Sequence, residues 1–502
     1  MAVGLLAVTL AGCGSSSGGG KAQASDNVLS LASIIEPKSY DPTQMDCGSA
    51  LLYCQAAYDT LIHLDADRNP TPGMATAFTY NGKRTQLTLT LRSGITFSDG
   101  TPFDASVAAA NLTHFQKTSG LSSSMSSALK SVRAVGADKV VIDLSAPDPS
   151  LLSNLALNLG MMVSKPAIGA ATLATTPDGS GPYLLDKADT QPGTTVFKRN
   201  TKYWDPSTYP FDTVKMSVLT DPNTTLNAFK VGQVNAGPIG EPQAKAIEQL
   251  GGSVMRSANG WLGLILADRG GKVVPALADV RVRQAINYVL DRDLFSTIAV
   301  PGGKPATTTE QIFAPGSPAF VKELDEAYPH DVAKAKQLMA AAGYAKGFSV
   351  TMPDFSTVSG SPALSTYLVQ QLGAINIKIH WANPPLTELI SSIQGGKYGM
   401  TFMLLGSKTP WQDMQNSVLP NAPFNPFHST DPHLARLINT AEHADPAQSP
   451  SKAFQAVNRW LVQNAWFAPF TIRGSVEAAG PGVKIEQQTL GVDLARFKPA
   501  GS

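Results

Sequence analysis

Cysteine is scarce in this 502-residue chain, with three in all. They do not form the two closely spaced pairs that hold structural zinc. Charge is scarce as well. Only 15% of residues are Asp, Glu, Lys or Arg, and 39 basic against 38 acidic side chains leave a net charge of +1. Such a balance provides no basic field for a nucleic acid backbone. Past the first dozen residues, no apolar run approaches the ~18 uncharged residues that a membrane span needs. No Gly-x-x-x-x-Gly-Lys-Ser/Thr segment occurs, so the phosphate-cradling loop of an ATPase is not encoded here. There is no internal repeat. His428, His433 and His443 are the densest histidines, but spacings of five and ten do not put three on one helical face. No Glu-x-x-His accompanies them, and they are expected to be solvated or capping groups. No metal site and no cofactor is expected.

What is present begins at the N-terminus. Ala2 to Ala11 is an apolar run ending in small residues, and Leu10-Ala11-Gly12-Cys13 resembles the bacterial lipobox. The resemblance implies a signal peptide over 1–12, cleaved before Cys13, whose thiol takes the lipid. Met1 to Gly4 carries no Lys or Arg, a departure from the basic start of such leaders. Gly14 to Gly20 contains only Gly and Ser, a composition that behaves as a flexible coil and suits a tether over 13–26. Within it, Gly14-Ser15-Ser16-Ser17-Gly18 matches the Gly-x-Ser-x-Gly hydrolase elbow in letters only, since no strand precedes it and no apolar helix follows. These segments place the protein at the outer face of the cytoplasmic membrane, held by lipid. In an exported protein the remaining cysteines, Cys47 and Cys54, are expected to pair as a disulfide.

A chain of this length exceeds one core, and two or three domains are expected. Gln86 to Arg92 alternates polar and apolar, as a strand with one buried face does. Asp104 is placed to cap a helix from Ala105 to about Gln116. Val140 to Leu144 reads as a strand, and Ser150 to Leu159 as a short apolar helix. Strands are then expected at Thr195–Lys198, Thr213–Leu219, Phe348–Met352, Ile375–Trp381 and Met400–Leu405. Helices are expected at Pro222–Val231, Val280–Leu290, Asp331–Ala342 (ended by Gly343 in a left-handed cap) and Ser451–Asn464. This alternation argues for α/β lobes.

Several segments together resemble one family. Tyr58-Asp59-Thr60-Leu61, Pro72-Gly73-Met74-Ala75, Leu91-Arg92-Ser93-Gly94 and Phe97-Ser98-Asp99-Gly100-Thr101-Pro102 follow in order. Then come Gly179-Ser180-Gly181-Pro182-Tyr183, Arg199-Asn200 with Tyr203-Trp204, and Asp279-Val280-Arg281-Val282-Arg283-Gln284-Ala285-Ile286 with Asp291-Arg292. Ala335, Leu338 and Ala342-Gly343-Tyr344 complete the set. The chain is similar, over about residues 27 to 480, to solute-binding proteins of family 5, the peptide/nickel type. These motifs read as architectural. Gly94, Gly100, Gly179 and Gly181 are expected to take positive φ in turns. Of Arg281 and Arg283, one is expected in solvent and the other to anchor its helix through a carboxylate.

The resemblance implies an α/β, two-lobed, hinged (Venus-flytrap) periplasmic-binding-protein fold of type II, in the large three-domain class. Lobe I would comprise 27–57, 166–265 and 470–502, an inserted domain II 58–165, and lobe II (domain III) 266–469. It implies a monomeric, non-enzymatic receptor that closes over a ligand and delivers it to the membrane permease of an ABC importer, whose ATPase is a separate chain. Relatives take di- and oligopeptides, nickel complexes, haem or oligosaccharides, and a peptide is the leading expectation. A structural envelope lipoprotein and a hydrolase are the rival classes. In peptide-binding relatives a carboxylate after a buried strand holds the ligand's amine. In register, that position is Lys408 here, and the nearest carboxylate is Asp413. Either Asp413 anchors an amine, or Lys408 favours an anionic or neutral group. Trp411 is expected either to stack on the ligand or to pack between lobes.

Overall fold

The structure is a computed structural model. It describes every residue except 1–26, 121, 300–306, 355–361, 407–408, 445–450, 489–490 and 502. Cys13, the tether and Lys408 therefore lie outside the described residues. One eight-stranded sheet organises the chain. Its spatial order is Met400–Gly406, Ser253–Leu266, Phe467–Ala479, Ala236–Ile239, Val28–Ser33, Thr213–Val218, Thr194–Arg199 and Tyr183–Leu185. Val28–Ser33 runs parallel to both of its neighbours, and the remaining pairings are antiparallel.

Two long strands, Ser253–Leu266 and Phe467–Ala479, pair with each other nearly throughout. At one end they join the strands around Val28–Ser33, and at the other they join Met400–Gly406. The sheet is thus continuous, but its cores are not. One face of the first end is covered by a core containing Leu29, Leu31, Tyr53, Val214, Met216 and Met255. At the other end, a second core gathers Leu262, Leu264, Phe402 and Phe470 with the helices Val280–Val289, Val332–Ala341 and Pro362–Gly373. A third core, around Trp261, Met403, Leu405, Trp411 and Phe467, covers the opposite face of that end. Both crossing strands carry register irregularities at the join, between Ala258 and Gly260 and between Leu262 and Gly263, where extra residues re-aim the chain.

A separate four-stranded antiparallel sheet is ordered Ala75–Tyr80, Gln86–Leu91, Lys139–Leu144 and Leu129–Val135. Helix Ala105–Lys117 covers it, and the fully buried residues of their shared core lie between Leu61 and Met162, with half-buried Trp204 packed against them. Asp104 caps that helix by accepting from the Val107 amide. The segment expected as one helix over 150–159 is broken into a turn of helix at Leu151–Asn154 and a 3₁₀ turn at Asn158–Gly160. A Cβ on Gly160 would lie 1.7 Å from the Leu155 carbonyl oxygen, so the chain doubles back there too tightly to stay helical.

Three architectural expectations are sharpened. Gly94 and Gly100 do take positive φ, at 80° and 85°. Gly179 and Gly181 do not. They are glycine because other backbone passes close by: a Cβ at either would sit 2.4 Å from a backbone atom of Ala57. The arginine pair is also divided differently from expectation. Exposed Arg281 is the one on a carboxylate, 2.6 Å from Asp279. Buried Arg283 is held by the carbonyls of Leu277, Ala278 and Asn464. Those dipoles tie the helix to the chain entering the second crossing strand. Cys47 and Cys54 are joined by a disulfide at the start of helix Leu51–Ala57.

Candidate functional site

The parallel strands Val28–Ser33 and Ala236–Ile239 end at the join between the two halves of the sheet, and clefts outside such strand ends are where α/β sheets take ligands. Counting from there, Pro238 is paired with Glu477, and Glu477 with Met255. The next polar row is Ser257 with Ser475, whose hydroxyls lie 2.9 Å apart. Beyond it, Arg473 pairs with Gly260, and Gly260 with Gly406. Successive side chains alternate faces, so Arg473, Ser475 and Glu477 share the face that carries Met255. That face is apolar on both sides of these rows. Between the two cores it is therefore a trough of small residues with a cation at one end and a carboxyl at the other.

Around the end of Val28–Ser33, Glu36 accepts from the Thr195 hydroxyl at 3.1 Å. Tyr40 and Tyr53 stand beside it. Burial pushes the Tyr53 hydroxyl up to about 12, and the charge of Glu36 adds to this. The hollow between helix Ala105–Lys117 and strand Leu129–Val135, and the one around Phe229 and Pro481, lie outside these rows.

Beyond Met400–Gly406, Pro410 to Ser417 is a helix, with Thr409 and Gln412 forming a reciprocal capping box. Trp411 is 5% exposed and belongs to the core around Trp261 and Leu405. Asp413 is 7% exposed in the first turn of that helix and is already engaged by another group. The structure brings Trp411 and Asp413 into one helical turn. The same helix reaches the four-stranded unit, where Gln412 donates to Asn154.

The signature residues meet elsewhere. Asp59 accepts from the Trp204 indole at 2.6 Å, the Tyr203 hydroxyl at 3.2 Å and the Thr60 amide at 2.7 Å, and lies 2.6 Å from His63 Nε2. Arg92 stacks on Trp204, 3.8 Å from its ring centre. This knot fastens the four-stranded unit to the large sheet. Among the described residues no group of three or more metal-ligating side chains occurs, the three histidines included. No helix of the described residues is long and apolar enough to cross a membrane.

Residues that the sequence reading passed over are Arg473, Glu477 and the pair Gln412–Asn154. A signal for the first two does exist: Arg-Gly-Ser-Val-Glu alternates charged, small and apolar directly after the apolar run Phe467 to Ile472, as a strand does on leaving a core.

Two lobes with separate cores, joined by two strands of one shared sheet, are the architecture of a type II periplasmic binding protein. The chain matches the family described as bacterial extracellular solute-binding proteins, family 5 Middle, over residues 69–422, and it belongs to that family, the extracytoplasmic receptors of ABC importers. It is 24% identical to the glutathione-binding protein GsiB of Escherichia coli (strain K12) over 481 residues, covering 91% of this chain and 90% of that one. Among solved structures, the periplasmic murein tripeptide binding protein MppA in its unliganded open form superposes with a TM-score of 0.80 at 18% identity, covering 95% of this chain and 98% of that one. The periplasmic binding protein DppA of Helicobacter pylori in complex with the peptide STSA gives a TM-score of 0.71 at 19% identity, covering 94% and 98%.

Proposed function

We propose that this protein is a lipid-anchored receptor that captures short peptides between its lobes and hands them to the permease of an ABC importer. The observation that carries this is the polar trough on the shared sheet: two apolar cores flank rows of small and charged residues where the lobes meet. A ligand that contacts both lobes binds the closed form better and shifts the open–closed equilibrium towards it. The protein acts as a monomer and does no covalent chemistry on its cargo. GsiB is named for glutathione, MppA for a murein tripeptide, and DppA is in complex with the peptide STSA, which favours a peptide as the cargo.

The layout proposed is lobe I from 27–57, 166–265 and 470–502, an inserted unit over 58–165 and lobe II over 266–469. The core running from Leu61 to Met162 supports the insertion. The crossing strands run through both lobes without interruption, so those boundaries fall inside strands. Gly406 to Asp413 forms part of the lobe II wall. Trp411 and Asp413, both buried in the helix Pro410–Ser417, back that wall.

Native mass spectrometry of the purified protein, followed by calorimetry with defined peptides, tests the reading. A carried cargo in the mass range of two to five residues is expected, and a carried metal chelate or sugar would overturn the peptide assignment. For the anchor, replacing Cys13 by Ala is expected to release the protein from the membrane fraction. Unchanged membrane retention would refute lipidation at Cys13.

A further inference from the structure

We propose that Arg473 and Glu477 are the two charge-recognition groups of the site, with Arg473 taking the carboxylate and Glu477 the ammonium of a short zwitterionic ligand. This rests on the receptor reading above and deepens it. The first support is that neither head group has an ion pair or side-chain hydrogen bond with any described residue. By contrast Arg281, Arg283 and Arg292 in the opposing lobe are all held, by Asp279, by backbone carbonyls, and by carbonyls with Glu310 nearby. Evolutionary thrift aside, a half-buried charge left without a partner is costly, and a ligand of opposite charge removes that cost.

The second support is position. The two residues lie on one face of a crossing strand, four apart, which places their Cα atoms about 13 Å from each other at the strand rise. Between them the face carries only Ser475 and Ser257, and beside Arg473 the ladder positions are Gly260 and Gly406. An extended chain of two to four residues spans about 7–14 Å, so its two termini can reach both charges when the side chains lean inward.

The third support is environment. Burial pushes the Glu477 carboxyl up to about 8. Its ladder neighbours Met255, Pro238 and Ser475 are uncharged. The nearest cation on the adjacent strand, Arg256, projects from the other face into Glu241, 2.6 Å away. An arriving ammonium would restore the ionised form, and the carboxyl would give up its proton to solvent. Asp413 is the rival for that ammonium, but it is more deeply covered and already engaged.

The test is calorimetry of the wild type, Arg473→Gln and Glu477→Gln against trialanine, N-acetyl-trialanine and trialanine amide. Carnitine serves as a non-peptide zwitterion and maltotriose as a neutral control. The wild type is expected to bind trialanine at least about thirtyfold tighter than either capped form, the usual size of losing one partner of a buried charge pair. Arg473→Gln should erase only the penalty for the amide, and Glu477→Gln only the penalty for acetylation. In buffers of different ionisation enthalpy at neutral pH, the wild type should release protons on binding trialanine, and Glu477→Gln should release fewer. Circular dichroism confirms that each variant is folded, and Arg473→Lys should retain part of the carboxylate preference. If carnitine binds in place of trialanine with the same variant pattern, the charge recognition stands and the peptide reading falls. Undiminished discrimination in both variants, a preference for capped peptides or maltotriose, or binding of no zwitterion would overturn the proposal.

Discussion

Gln412 and Asn154, 258 residues apart in sequence, are joined by a hydrogen bond of 3.1 Å from the Gln412 amide to the Asn154 side-chain oxygen. One belongs to the helix Pro410–Ser417, the other to the helical turn Leu151–Asn154 that packs with the four-stranded sheet. Both are held from behind. Asn154 donates to the Met125 carbonyl, and the Gln412 oxygen accepts from Thr409. The bond therefore bridges two groups whose orientations are already fixed, and it acts as a clasp between the helix Pro410–Ser417 and the four-stranded unit.

Breaking the clasp is expected to favour the open form. A neutral hydrogen bond of this kind contributes about 0.5–1.5 kcal/mol, so Asn154→Leu should raise the open-to-closed ratio of the ligand-free protein roughly 2- to 12-fold. Small-angle scattering would register this as a larger radius of gyration, and the affinity for ligand should weaken by a related factor. Adding Gln412→Leu to the first variant should change little more, because the shared bond is already gone. Additive effects of the two substitutions would show that the residues act separately.

Much of the fold was legible because local rules act within a few residues. Asp104 and Asp331 announce their helices by capping them, and Gly343, at φ 85°, closes the second. The alternation in Gln86–Leu91 gives a strand with buried Leu87, Leu89 and Leu91. The two crossing strands were not legible. Gly260–Leu266 and Phe467–Ile472 are buried on both faces, the other part of each strand mixes polar, half-buried and buried residues, and each is interrupted by a bulge, so no single period runs through them. The site was harder still. Trp411 could be read either as stacking on a ligand or as packing between lobes, but the capping box of Thr409 and Gln412 starts a helix that puts the indole in the core around Trp261 and Leu405. What lines the trough is decided by which strand rows fall between two cores, a long-range fact with no local signature.

The knot around Asp59 should make stability depend on pH through His63. Burial opposes the imidazolium, but the hydrogen bond and charge of Asp59 outweigh it and hold His63 above its ordinary value. A raised folded-state value means stabilisation that is fully present below the unfolded value of about 6.5 and is lost as pH rises through the folded one. His63→Gln should therefore lower the melting temperature more at acidic than at alkaline pH. Thermal melts of both proteins across that range check it. An equal loss at every pH would mean that His63 contributes only by packing against Trp204, its stacked neighbour at 6.2 Å.

Gly181 and Gly100 separate two reasons for glycine. A Cβ at 181 would lie 2.4 Å from the Ala57 carbonyl carbon and 2.6 Å from its oxygen, whereas at 100 nothing stands within 4 Å. Gly181→Ala must push backbone apart and is expected to cost about 1–3 kcal/mol, as overpacking does, and to loosen the seam beside Tyr58. Gly100→Ala pays only for its positive φ, about 1 kcal/mol. Denaturant titrations of the two variants should show the larger loss at 181. The reverse order would indicate that the contact with Ala57 relaxes easily.

Asp413 and Lys408 provide the sharpest contrast with the proposed role of Glu477. Asp413 sits in the first turn of its helix, where a carboxylate is favoured by the helix dipole, and it is buried among Trp411, Met414 and Ser417. Asp413→Asn is expected to reduce stability by about 1–3 kcal/mol. It should weaken free and N-acetylated trialanine alike, because it disturbs the wall and not one charge. Lys408→Ala should leave the affinity for both within about twofold, because the proposal gives it no part in holding either terminus, and a screened ion pair contributes about 0–1 kcal/mol. Calorimetry of the two variants beside Glu477→Gln decides the matter. A loss confined to the free-amine peptide in Asp413→Asn, with none in Glu477→Gln, would move the ammonium from the crossing strand to the helix. A preference of the wild type for acidic or acetylated ligands that disappears in Lys408→Ala would instead assign an anion to Lys408.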